Sequence, residues 1–232
     1  MKLTHYGIRE WLGGGIVFLV LIACSVLVAV KIDRSAGITF GMIFLIAWFA
    51  LAAFFRDPER KIPDAENILI SPADGHVRDI EIISNCEENK YFDGKNAIRV
   101  GIFLSVFDVH LNRAPCRMTV REKIYRKGKF HDARDALASS ENEAMTLVCD
   151  ADASGRKFTV IVRQISGAIA KRIVCPVEQG ALIEKGAKYG MIKFGSRTEL
   201  FFPAGPDFEL KVKIGDRVLA GTSIMAEMNK KA

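Results

Sequence analysis

The residues best placed to do chemistry lie near the C-terminus, in Phe194-Gly195-Ser196-Arg197. They close a stretch, residues 184–194, that alternates glycines with strand formers. Glycine offers no side chain to block attack on its carbonyl and tolerates strained backbone angles. The Ser196 hydroxyl can therefore attack the Gly195 carbonyl and turn the amide into an ester. Elimination from that ester breaks the chain and leaves residue 196 as a ketone-bearing pyruvoyl group. Taken alone, a Gly-Ser pair is also ordinary turn grammar.

A serine nucleophile needs a base, and the base needs an orienting group. Four histidines are available. His5 precedes the first apolar segment, His76 follows an Asp-Gly turn, and His131 sits in a charged stretch. His110 lies in Ser105-Val106-Phe107-Asp108-Val109-His110-Leu111-Asn112-Arg113-Ala114-Pro115, directly after an apolar strand. Loops at strand ends are where catalytic groups are commonly presented; a lone histidine there also fits a surface position. Asp74, in Ser71-Pro72-Ala73-Asp74-Gly75, is a carboxylate candidate, although Asp-Gly after proline is equally a turn signal.

Residues 13–30 and 36–55 carry no charge. Each reaches the ~18–20 residues that cross hydrocarbon as a helix. Only residues 31–35 separate them, which predicts a tight transmembrane hairpin in an anchor spanning 1–56. A cleaved signal peptide fits poorly, because a second span follows at once. Lys2, Arg9, Arg56, Arg60 and Lys61 flank the pair, against Lys31 and Arg34 between them. That bias places both ends, and the 57–232 domain, on the cytoplasmic side.

Beyond residue 57, short Val-, Ile- and Phe-rich runs are broken by Gly, Pro, Asn and Asp. Their spacing predicts strands at 68–70, 77–83, 97–104, 118–125, 145–149, 158–165, 168–174, 189–194, 199–202, 210–214 and 223–228. One helix is expected around 131–139. The fold class is mainly β, a barrel-sandwich-like domain behind a two-helix transmembrane hairpin. Gly215-Asp216-Arg217-Val218-Leu219-Ala220-Gly221 resembles half of a lipoyl- or biotinyl-carrier sandwich. No lysine occupies the position that such carriers modify.

The five cysteines include no CxxC pair and read as reduced packing residues, not disulfides or a zinc site. Net charge is +6. No basic patch with interleaved aromatics suggests nucleic acid, and an anionic lipid surface is the simpler partner for a tethered basic domain.

In order along the chain come Arg56-Asp57-Pro58, Ser71-Pro72-Ala73-Asp74-Gly75, the His110 segment, Gly128-Lys129-Phe130 and Phe194-Gly195-Ser196. That series resembles the phosphatidylserine decarboxylase family in its short bacterial and archaeal form, over essentially the whole chain. The resemblance implies a proenzyme that cuts itself between Gly195 and Ser196 into chains 1–195 and 196–232. These remain associated as a heterodimer, with any further oligomerisation left open. It implies a pyruvoyl group derived from Ser196, with neither pyridoxal phosphate nor metal, that forms an imine with the serine headgroup of membrane phosphatidylserine. Loss of carbon dioxide then gives phosphatidylethanolamine at the inner membrane of the cell. Ser196, His110 and Asp74 are the implied catalytic residues.

Two departures matter. Longer members carry His-x-x-His where this chain reads His110-Leu111-Asn112-Arg113. Arg113 takes the place of the second histidine, and arginine, with a pKa above ~12, is a poor base. His110 serving both steps, or another group activating Ser196, are both open. Longer members also read Leu-Gly-Ser-Thr where this chain has Phe-Gly-Ser-Arg. Arg197 and Arg113 are therefore candidates to hold the substrate's phosphate or carboxylate. Other readings are a membrane-anchored adaptor with a carrier-like sandwich and a serine hydrolase. The hydrolase lacks the Gly-x-Ser-x-Gly elbow.

Overall fold

The computed structural model describes residues 2–84, 86–168, 172–193 and 196–229. The chain divides into two compact units, Met1–Pro58 and Glu59–Ala232.

The first unit is a helical hairpin, α1 (Ile8–Lys31) and α2 (Arg34–Phe54). Asp33 ends the connection by capping α2, its Oδ1 accepting the Ala36 amide at 2.6 Å. The helices approach closely at Gly37, where a Cβ would lie 2.3 Å from the Ala29 nitrogen. Large apolar side chains face outward along both, Leu27 and Phe49 among them. His5–Lys31 and Arg34–Phe54 are long and apolar enough to cross a membrane.

The second unit is mainly β. Its strands are β1 (Ile68–Ile70), β2 (Gly75–Ile83), β3 (Ala97–Leu104), β4 (Leu111–Arg113), β5 (Met118–Arg126), β6 (Ala144–Ala153), β7 (Arg156–Ser166), β8 (Arg172–Val174), β9 (Leu182–Ile183), β10 (Lys188–Lys193), β11 (Ser196–Pro203), β12 (Phe208–Leu210), β13 (Arg217–Val218) and β14 (Ile224–Met228). An antiparallel eight-stranded sheet runs β13-β2-β3-β11-β7-β6-β5-β9, beside two three-stranded sheets, β1-β14-β12 and β4-β10-β8. Ile102, Leu104, Val162, Tyr189, Leu200 and Phe202 belong to the buried core cluster.

The structure refines several expectations. β4, β9 and β13 were not anticipated; they are two or three residues long, too short to show alternation. Strand 199–202 is longer than its apolar run and starts at Ser196. Strand 210–214 is instead β12, followed by a turn. The helix near 131–139 is α3 (Ala136–Glu141), because Asp135 caps it by accepting the Leu137 amide at 2.9 Å. Residues 169–171 of the predicted 168–174 strand, with Phe194 and Gly195, lie outside the described residues.

Candidate active site

Ser196 opens β11, an interior strand of the large sheet. It pairs with Leu104 of β3 on one side and Ser166 of β7 on the other. The residue is fully buried, and its Oγ has no hydrogen-bond partner among the described residues. A buried hydroxyl left unpaired is costly and uncommon. Residue 196 is thus held by ladders on both sides while its hydroxyl makes no hydrogen bond among the described residues.

The loops at this end of the sheet come from the sequence motifs. Leu104 leads into the Ser105–His110 loop, where Asp108 Oδ2 accepts from the Ser105 amide and hydroxyl, both at 2.8 Å. His110 is fully buried, with Nδ1 2.9 Å from the Asp108 carbonyl oxygen. A carbonyl can only accept, so Nδ1 carries a proton, and in the neutral ring Nε2 is the acceptor nitrogen. On the other flank, Asn142 stitches the Gly128-Lys129-Phe130 segment to β7. It accepts from the His131 amide at 2.8 Å and donates to the Ser166 carbonyl at 2.8 Å.

Asp74 is buried just before β2. Its Oδ2 accepts from Arg60 at 2.7 Å and its Oδ1 from the Ala220 amide at 2.8 Å. Burial pushes its carboxyl above the usual aspartate value, Asp108 adds to the rise, and the Ala220 amide and Arg60 only partly oppose it. Gly75 must follow it, since φ is +150° and a Cβ there would lie 2.1 Å from the Phe103 carbonyl oxygen. The Asp108 carbonyl thus faces His110 Nδ1, while Asp74 is engaged by Arg60 and the Ala220 amide.

A second buried network ties the β4-β10-β8 sheet to the eight-stranded sheet. Asn112, on β4, donates Nδ2 to Thr198 Oγ1 at 3.0 Å and accepts at Oδ1 from Gln164 Nε2 at 2.9 Å. Thr198 and Gln164 are cross-strand partners. Side chains two apart share a strand face, so Thr198 lies on the face of β11 that also carries Ser196.

Arg197 points to the opposite face. It is 3% exposed and donates to both Asp79 oxygens, at 2.6 and 2.7 Å, and to Glu199 at 3.0 Å. Burial alone would lower its pKa; the Asp79 and Glu199 carboxylates outweigh that and raise it. Its guanidinium is thus engaged by two carboxylates inside the sheet. Arg113 donates Nη1 to the Gly186 carbonyl at 2.9 Å. Among the described residues no group of three or more His, Cys, Asp or Glu could hold a metal ion. A cleft of about 700 Å³ lined by Arg117, Met118, Asp150 and Phe158 sits at the opposite end of the sheet from Ser196.

Asn112, Thr198, Gln164, Asn142 and Asp108 were not singled out from sequence. The available signal was that Asn112 and Asp108 share a segment with His110, and Thr198 one with Ser196.

Residues 48–226 match the family model for phosphatidylserine decarboxylase. A phosphatidylserine decarboxylase proenzyme of Wolbachia pipientis is 39% identical over 191 residues, 82% of this chain and 81% of that protein. One from Desulfotalea psychrophila is 40% identical over 186 residues, 80% and 83% of the two chains. One from Nitratidesulfovibrio vulgaris is 38% identical over 207 residues, 85% and 90%. The fold and the match define an enzyme, a decarboxylase of mainly β architecture. The chain belongs to the phosphatidylserine decarboxylase family.

Proposed function

We propose that this protein is made as a proenzyme, cuts itself between Gly195 and Ser196, and then decarboxylates phosphatidylserine to phosphatidylethanolamine and carbon dioxide. The observation that carries the reading is the buried Ser196 Oγ, without a hydrogen-bond partner among the described residues, at the head of an interior strand.

Self-cleavage begins with Ser196 Oγ attacking the Gly195 carbonyl carbon, which moves the acyl group from nitrogen to oxygen. Elimination of the Gly195 carboxylate breaks the chain. The dehydrated residue then takes up water and releases ammonia, leaving the pyruvoyl group. Water is not the cleaving nucleophile. His110 Nε2 is one candidate to take the Ser196 proton; Asp74, with its raised pKa, is the other. Chains 1–195 and 196–232 stay together because β11 is paired along its length to β3 and β7, which lie on the other side of the cut.

The unpaired Oγ and the ladders around residue 196 fit a pyruvoyl group, whose ketone supplies the electron sink for a carbanion. Neither pyridoxal phosphate nor metal is invoked. The protein's own part is to hold residue 196 in register, exclude water and keep a proton donor at His110 for the carbon that loses carbon dioxide. The helical hairpin anchors the enzyme in the inner membrane with the β domain in the cytoplasm, where the diacyl substrate lies.

The test is turnover of phosphatidylserine vesicles by purified protein, following phosphatidylethanolamine by mass spectrometry. Wild type yields product and Ser196→Ala yields none. Absence of product from correctly processed wild type overturns the reading.

A further inference from the structure

Maturation changes what holds residue 196. In the uncut chain Ser196 is tied covalently at both ends. Cleavage removes the bond to Gly195, and a pyruvoyl group has no amide nitrogen left to donate a backbone hydrogen bond. Chain ends are also where a strand opens first. Arg197 is then the first residue of the 196–232 chain that can be held by backbone and side chain together.

Its side chain reaches across a strand. β3 lies between β11 and β2, and Glu199 and Asp79 both pair with Gly101 of β3. A Cβ on Gly101 would lie 2.1 Å from Arg197 Nη2 and 2.7 Å from Asp79 Oδ1, so the guanidinium rests over bare backbone. A register shift between Val77 and Asp79 brings the carboxylate to this level. Arg197 then donates Nη1 to Asp79 Oδ2 at 2.6 Å and Nη2 to Oδ1 at 2.7 Å, a two-pronged fork. Its Nε donates to Glu199 at 3.0 Å, and Glu199 also accepts from Arg99 at 3.2 Å and Arg163 at 3.4 Å. Asp79, Arg99 and Arg163 precede the cut, whereas Arg197 and Glu199 follow it. Burial pushes the Asp79 carboxyl up, but the Arg197 hydrogen bonds and charge, with Arg99 and Arg78, outweigh it and hold the group below its usual range. The clamp therefore keeps its charge.

We propose that Arg197 and Asp79 are positioning residues of the mature enzyme, a clamp between the two chains that holds the pyruvoyl ketone in register for the substrate amine. This role deepens the self-cleaving decarboxylase reading and rests on it. Before the cut the continuous chain does the same work, so loss of the clamp is felt after maturation and not during it.

The test uses the full chain, with Asp79→Asn, which removes the charge and one prong, and Arg197→Lys, which keeps the charge and loses the fork. Self-cleavage of both, followed on gels, should stay within three-fold of wild type. For the mature proteins kcat on phosphatidylserine should fall about ten-fold, with KM within two-fold of wild type. Hydrogen exchange read by mass spectrometry separates positioning from plain stability. Asp79→Asn should speed exchange of the 197–200 amides at least ten-fold in the cut protein and less than two-fold in the uncut Ser196→Ala background. Should Asp79→Asn fail to fold, Arg197→Lys carries the same pair of measurements. Equal acceleration in cut and uncut protein overturns the clamp, as does wild-type kcat in both variants or a rise in KM with kcat unchanged. Failure of the decarboxylase reading looks different: wild type stays a single chain and yields no product.

Discussion

Asn112 Nδ2 donates to Thr198 Oγ1 at 3.0 Å, and both residues are fully buried. The bond joins the strand that follows His110 to the strand that begins at Ser196. Each catalytic candidate is two residues upstream of its partner in this bond. A shift of about an ångström between nucleophile and base is enough to slow a reaction about a hundred-fold, so the bond acts on geometry more than on chemistry.

Asn112→Leu should therefore slow self-cleavage roughly ten- to hundred-fold. It should also cost about 1–3 kcal/mol of stability, because Thr198 and Gln164 lose a buried partner. Gel-monitored processing of newly synthesised protein and thermal melting of the Ser196→Ala background separate the two effects. Processing at the wild-type rate in a destabilised protein would remove the positioning role.

Asp74, if it is the base for Ser196, sets a pH dependence. Its pKa lies above the usual aspartate value because burial outweighs the Ala220 amide and Arg60. A base must be ionised, so the rate falls as pH drops through that raised pKa. If Asp74 activates Ser196, the acid limb of the processing rate lies above the pKa of a free aspartate. Arg60→Gln, which removes an interaction that lowers the pKa, should move the limb to higher pH. Asp74→Asn should abolish it. A limb unmoved by Arg60→Gln assigns the titration to another group.

His110 and Arg113 lie three residues apart, separated by Leu111 and Asn112. His110→Gln should lower decarboxylation about a hundred-fold or more, the usual worth of a positioned acid or base. Arg113→Gln should leave self-cleavage within a few-fold of wild type, since a guanidinium does not accept protons at working pH. Rates of processing and of product formation, measured separately for both variants, check this. Loss of processing in Arg113→Gln alone would give that residue a direct part.

Arg197 is tied to Asp79 and Glu199 inside the sheet. Arg197→Met should lower stability by about 3 kcal/mol, the penalty for stranding buried carboxylates. In protein that still folds, KM for phosphatidylserine should stay within two-fold of wild type. A large rise in KM with unchanged stability would restore Arg197 to the substrate.

The contrast between Ser196 and its strand shows what sequence alone reveals. The Gly-Ser bond stood out because its chemistry is local. Of the strand it belongs to only 199–202 did, because Ser196-Arg197-Thr198 reads as a polar turn. Arg197, Thr198 and Glu199 are buried because Asp79, Asn112 and the arginines around Glu199 meet their polar groups. Hydrophobic patterning cannot register a strand whose burial is compensated from elsewhere in the chain. The helical hairpin is the opposite case. Its signal is an uninterrupted apolar run, and it was legible to within a few residues. Asn112 and Gln164 were invisible for the same reason as β11, since each matters only through a partner more than fifty residues away in sequence.

The central claim is most directly tested by intact-mass measurement of the purified, active protein. The account predicts two polypeptides, 1–195 and 196–232, the smaller one lighter by an ammonia than a hydrolytic cut would leave it and reactive toward carbonyl reagents. A single uncut chain with full activity, or a smaller chain beginning with an unmodified serine, would contradict it.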